Sequence, residues 1–305
     1  MKTNNATMAV QAPMAPNAPT TARRRGLWAD VWLRLKRNKS AVAGMVMLAV
    51  ILVVVYGAPL FISYEEDVIR PDLFNALQFP AEGRLLGTDE IGRDVFARII
   101  WGGRISIGIG FASMLMSFVI GSAIGAIAGY YGGRTDSLLM RFLDVFMAIP
   151  TILLMITLVS IMPPTLLNLT FALAISSVPA AARLIRGQVL QIAGQEYIEA
   201  IRGQGASDFR IIVMHILPNA ISPLISQFVM NVAGGIMQIS ALSFIGLGVQ
   251  APNPEWGAML ASGRNVIRDA WHVTAFPGIA IVITIIALTL MGDGLRDALD
   301  PRMKR

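Results

Sequence analysis

Six stretches of this chain, 41–58, 105–131, 145–162, 166–182, 219–249 and 275–291, contain no Asp, Glu, Lys or Arg. Each approaches the roughly 17–25 residues that a helix needs to cross a bilayer. A charge at mid-membrane costs about 2.5–3.5 kcal/mol on insertion scales, so six windows without one are a strong constraint. Composition agrees: 55% of the 305 residues are apolar and 14% charged, whereas soluble domains carry roughly 25% charge. So few charges cannot give a globule of this size a wetted surface. The fold class expected is an all-α integral membrane protein with six transmembrane helices.

The loops set the orientation. With the N-terminus inside, six crossings return the C-terminus inside. Inside segments then hold 18 of the 25 basic residues and 9 of the 19 acids. That excess of inside positive charge supports N-in, C-in topology. It also accounts for the net charge of +6 without a nucleic-acid partner. Lysine occurs only at Lys2, Lys36, Lys39 and Lys304, so the apolar body has neither a P-loop nor a Schiff-base lysine. Cysteine is absent, which excludes disulfides, thiolate metal sites and thiol nucleophiles. His215 and His272 fall on opposite sides of the membrane and cannot share a metal. No H-E-x-x-H or G-x-S-x-G motif occurs, so no catalytic or metal site is expected on the chain.

Residues 1–22 read as a disordered tail, too poor in apolar area to offset ordering entropy. Residues 23–40 interleave Arg23, Arg24, Arg25, Arg34, Lys36, Arg37 and Lys39 with Leu27, Trp28, Val31, Trp32 and Leu35. This suits a cytoplasmic amphipathic helix on anionic membrane lipid. A first transmembrane helix over 41–58 follows, then an external segment, 59–104. Its end, Gly87-Thr88-Asp89 with Gly92-Arg93-Asp94, is expected to open an amphipathic helix: Thr88 or Asp89 caps it, and Ile91, Val95 and Ile99 share one face.

The five-helix core, 105–291, begins with small residues at every fourth position, Ser113, Ser117, Gly121, Gly125 and Gly129. They permit close helix approach, within this chain or across a dimer seam. Pro150 is expected to free the carbonyl of Phe146 and bend the third span. Arg141 and Asp144 are expected to pair. The inside loop 183–218 reads as a short helix over Glu196-Tyr197-Ile198-Glu199-Ala200-Ile201, stopped by glycine with Gly205 as a left-handed cap. A second helix follows Ser207 or Asp208. Such a knob could insert an apolar face, including Tyr197, Ile198 and Ile201, into a partner's groove, or be an interfacial loop helix. Gln227, Asn231 and Gln238 share a face of the fifth span with Gly234 and Gly235. Neutral polar groups in lipid need partners, so this face should look onto a translocation path or bond to other helices. Trp101, Tyr130, Tyr131, Trp256 and Trp271 read as interface anchors. Residues 292–305 form a cytoplasmic C-terminal tail.

These residues resemble the inner-membrane permease subunits of binding-protein-dependent ABC importers, in the dipeptide/oligopeptide/nickel branch. Glu199-Ala200-Ile201, Gly205 and Ile216-Leu217-Pro218 resemble the cytoplasmic EAA loop. Leu86-Gly87-Thr88-Asp89 with Gly92-Arg93-Asp94 and Arg98 resembles the segment before the second span, and Met291-Gly292-Asp293-Gly294-Leu295 resembles the C-terminus. Ile201 stands where alanine is usual, Gly203-Gln204 where Ala-Leu is usual, and His215 in a common isoleucine place. The resemblance covers roughly 27–305. It implies a type I importer permease fold in a bacterial inner membrane and peptide import by alternating access. It also implies a paralogous permease, two cytoplasmic ATPases carrying ATP and Mg, and a periplasmic or lipoprotein substrate-binding protein. No cofactor would sit on this chain. Nickel or another small solute is the alternative cargo. A secondary transporter or channel is the alternative of another class, and an intramembrane enzyme a third.

Overall fold

A computed structural model of the protein describes residues 27–299. The expected tail, Arg23 to Arg25 and the last residues of the C-terminal tail lie outside the described residues. Helix α1 (Leu27–Arg37) is short and carries Arg34, Lys36 and Arg37 in its last turn. Asn38 then caps α2 (Lys39–Gly57), its side chain accepting from the backbone N–H groups of Ser40 and Ala41. An external module over 58–94 is built of short turns and leads into the long α3 (Val95–Tyr131). Helices α4 (Gly133–Met147) and α5 (Thr151–Ile161) follow, then α6 (Leu166–Ala193) and α7 (Glu196–Gly203). The single-turn α8 (Asp208–Arg210) widens into a π-helical turn, Ile211–Ile216, and passes without a break into α9 (Leu217–Phe244). Helices α10 (Trp256–Gly263) and α11 (His272–Leu299) complete the described chain.

Five helices among the described residues are long and apolar enough to cross a membrane, and α4 with α5 makes a sixth if read as one broken span. The break is sharper than the bend expected at Pro150. The two helices meet at 82°, because Pro150 ends one helix and opens the next rather than sitting inside a continuous one. The carbonyl of Phe146 is not freed: it accepts from the N–H groups of Ala148 and Ile149. The two chain ends meet on one side, where Asn38 donates to Asp297 and Leu35 packs with Ala41 and Ala298. This contact requires an even number of crossings.

The stripe of small residues lies within the chain. Ser113, Ser117, Gly121, Gly125 and Gly129 are all buried. A Cβ at Gly121, Gly125 or Gly129 would lie 2.7, 2.5 or 2.9 Å from atoms of α6. Backbones in such contact gain packing where lipid supplies no hydrophobic drive. Two ion pairs also tie α4 to α6, Arg183 with Asp144 and Arg186 with Asp136. Asp144 therefore pairs across helices, not with Arg141 three residues away. The partner on α6 wins because both α4 acids face that helix.

Candidate functional site

The elbow between α6 and α9 is built around one glycine. Gly205 adopts φ +82° with open space about its Cβ position. Glycine is needed there for the left-handed turn and not for room. The N–H of Gly205 bonds to the carbonyl of Arg202 at 3.0 Å, closing α7. Gly203 is the last residue of that helix, where glycine costs less than in a helix interior.

The apolar face of the elbow points inward. Ile198, Ile211 and Ile216 are fully buried with Ile185, Val189 and Leu224, and Ile201 and Leu217 pack at the edge. Within the chain Ile198, and Ile201 at the edge, seat the elbow on its own bundle, a placement compatible with either reading of this face, entry into a partner's groove or an interfacial loop helix. The surface left for a partner carries Glu196, Glu199, Ala200 and Arg202 on α7, with Gly205 and Pro218 also exposed. Its apolar element comes after the glycine, where Phe209 is 76% exposed and Met214 nearly as open. Tyr197 is exposed, and its hydroxyl accepts from Asn219 at 3.2 Å. Tyr130, expected as an interface anchor, donates to the carboxylate of Asp208 at 2.6 Å.

A cleft of about 190 Å³ opens between α3, α5, α6 and α9. Its polar wall is Ser117, Thr151, Ser176, Ser177, Asn231 and Gln238, and Met114, Phe118 and Met230 supply apolar surface. Gln227 lies one turn away and donates to Asn231 at 3.1 Å, which steadies that amide. The Oε1 atom of Gln238 is buried without a hydrogen-bond partner among the described residues. An unpaired amide oxygen of this kind is costly unless a guest or water completes it.

The external motif forms a knot. Asp89 accepts from the N–H groups of Ile91 and Arg93 and from Arg93 Nε at 2.7 Å, and Arg98 stands 3.4 Å away. Thr88 is buried, its hydroxyl donating to the carbonyl of Asn75 and accepting from the N–H of Gln78. Its own carbonyl faces His272 Nε2 at 3.2 Å. Gly87 packs tightly beside His272, and Gly92, at φ +82°, against the backbone of Asp72. No helix therefore starts at Thr88 or Asp89. The left-handed Gly92 interrupts it, and Asp94 is the cap, accepting from the N–H of Ala97 at 3.0 Å. Asp94 also pairs with Arg84.

Burial raises the pKa of Glu90, and the adjacent Asp89 adds to the rise while Arg93 opposes it. A carboxyl whose pKa is raised by folding binds its proton more tightly in the folded state, so stability falls as pH climbs through the carboxylate range. Glu90→Gln is expected to raise the melting temperature at pH 7, with the gain shrinking as pH is lowered through that range. Thermal unfolding at several pH values checks this.

One buried group gave no signal strong enough to single it out. Glu255 is fully buried and joins three helices. It accepts from Ser106 of α3 at 3.0 Å, from Ser240 of α9 at 3.3 Å and from the N–H of Ala258 in α10 at 2.9 Å. An acid three residues before Ala258 is a readable N-cap, but its serine partners are remote in sequence. Trp256 beside it is 2% exposed and donates to the carbonyl of Ile99. It is a core residue and not an interface anchor.

The family model for the binding-protein-dependent transport system inner membrane component matches residues 121–305, and the chain therefore falls to that family. It is an inner-membrane transport permease. A second model, the N-terminal TM domain of oligopeptide transport permease C, matches residues 26–80 of this permease. The dipeptide transport system permease protein DppC of Alkalihalophilus pseudofirmus is 41% identical over 277 residues, covering 91% of this chain and 90% of that protein. The glutathione transport system permease protein GsiD of Pectobacterium atrosepticum is 42% identical, covering 91% and 92%. Among solved structures, inward-facing MetNI methionine ABC transporter aligns with a TM-score of 0.54 at 18% identity, over 66% of this permease and 96% of that chain. The fold is thus that of an ABC importer permease.

Proposed function

We propose that this permease carries short peptides through a pathway whose walls are moved by the elbow. One observation carries the reading: α6 and α9, which wall the cleft, are the two helices that the elbow joins. A force on the elbow reaches both walls directly. The cleft offers amides and hydroxyls, which suit the amide groups of a peptide backbone better than a bare nickel ion, for which imidazole or carboxylate ligands are usual. Relatives named for dipeptides and glutathione support the same cargo class.

In this reading two cytoplasmic ATPases, holding ATP and Mg, grip Glu199, Ala200 and Phe209. A paralogous permease completes the pathway, and a periplasmic or lipid-anchored binding protein delivers the peptide over the external module. Closure of the ATPases turns the elbows and opens the cleft outward, and hydrolysis resets it. Gln238 and Asn231 meet the peptide in passage, and Gln227 holds Asn231 in place. The chain itself contributes gating and no bond-breaking chemistry.

The test is uptake of labelled dipeptide into proteoliposomes containing this permease, its paralogue, the ATPases and the binding protein. Uptake is expected only with ATP and every subunit present. Ion-gradient-driven uptake by this chain alone would contradict the reading and favour a secondary transporter.

A further inference from the structure

Helices α6 and α9 are joined to the elbow by the chain itself, but α3, the third wall of the cleft, is not. Its cytoplasmic end turns through Gly132 and Gly133, both at positive φ, into α4 and so away from the elbow, and α4 is itself ion-paired to α6. Along its seam with α6, Gly121, Gly125 and Gly129 lie against Ala181, Ile185, Val189 and the backbone of α6. These close backbone approaches hold α3 beside α6 by packing, without a directional bond from α3 to the elbow. At the end of that seam Tyr130 reaches across to the elbow. Its hydroxyl donates to Asp208 at 2.6 Å, and the guanidinium of Arg202 lies 5.2 Å from its ring centroid. Arg202 is on α7 and Asp208 on α8, so one phenol holds both arms of the elbow across the Gly205 turn. A hydrogen bond to a carboxylate is directional and stronger than a neutral one, and the cation–π contact adds to it.

We infer that Tyr130 is a positioning residue for transport: it locks α3 to the elbow so that α3, α6 and α9 move as one body. The inference rests on the elbow being the handle of the ATPases, as proposed above, and is independent of the cargo.

The test uses the complete transporter in nanodiscs. Because this chain has no cysteine, spin labels go on Ile127→Cys in α3 and Gln195→Cys at the exposed start of α7, away from the elbow tip, and their separation is measured without nucleotide and trapped with ATP and vanadate. With Tyr130 present, one narrow separation is expected in both states. In Tyr130→Phe it becomes broad and nucleotide-dependent, and the dipeptide transported per ATP hydrolysed falls about tenfold, mid-range for coupling between sites. Asp208→Ala should reproduce the effect and serves if Tyr130→Phe does not assemble, whereas Asp208→Asn, which keeps an acceptor oxygen, should retain the native separation. A narrow, nucleotide-independent separation in Tyr130→Phe or Asp208→Ala overturns the inference. The separation needs no peptide, so a failure of dipeptide uptake in the unaltered transporter would refute the cargo and leave this result decisive.

Discussion

Gly125→Leu is expected to leave little or no folded permease. A Cβ at this position would lie 2.5 Å from the carbonyl oxygen of Ala182 and 2.9 Å from the N–H nitrogen of Arg186, both backbone atoms of α6. Neither can step aside as a flexible side chain could, so the helices must part. Overpacking alone costs about 1–3 kcal/mol. Parting the seam also exposes the buried serines and glycines of α3 to lipid, which provides no drive to close it again. Gly108 sits on the same helix with open space about it, and Gly108→Leu is expected to fold like the native chain. Thermal unfolding of both variants in one detergent checks the pair. Equal melting temperatures would refute the account of the α3–α6 seam.

Phe209→Asp is expected to abolish ATP-driven uptake while leaving the fold intact. The side chain is largely exposed, so its loss removes little from the bundle. At the centre of a partner's groove, an aromatic anchor of this kind carries about 2 kcal/mol or more, roughly thirtyfold in affinity for the ATPase. Glu199→Arg, which reverses the charge on the other arm, should act in the same direction. Ile198→Asp provides the contrast: Ile198 is fully buried in the cluster beneath the elbow, so this variant should lose the fold itself. Binding of the ATPases to detergent-solubilised permease, set beside melting temperature, separates the two kinds of loss. Native ATPase affinity in Phe209→Asp would show that the outward face has been misassigned.

The membrane helices could be read from the sequence because exclusion of charge from lipid is a local, additive constraint. The elbow could be read because a left-handed turn demands glycine at one position, Gly205. What could not be read were pairings between distant residues. Asp144 has an arginine three residues away, yet it pairs with Arg183, because helix packing and not spacing decides which face meets which. Tyr130 and Asp208 are 78 residues apart, and Glu255 is 149 residues from Ser106; nothing local to either pair announces the contact. The direction of the elbow's apolar face was open for the same reason: periodicity shows that Ile198 and Ile201 share a side, but not what covers it. At the external knot, local signals competed. Thr88 and Asp89 look like helix caps, but Asp89 is occupied by the turn that Gly92 makes, and Asp94 takes the capping role.

The side of the membrane on which the elbow lies is the most direct test of a gate driven from the cytosol. Gln204→Cys places the only thiol of this chain on the exposed tip of the elbow. A membrane-impermeant maleimide should label it in inside-out vesicles and not in right-side-out ones, and bound ATPases should block the reaction. Labelling from the external face of right-side-out vesicles would contradict the account.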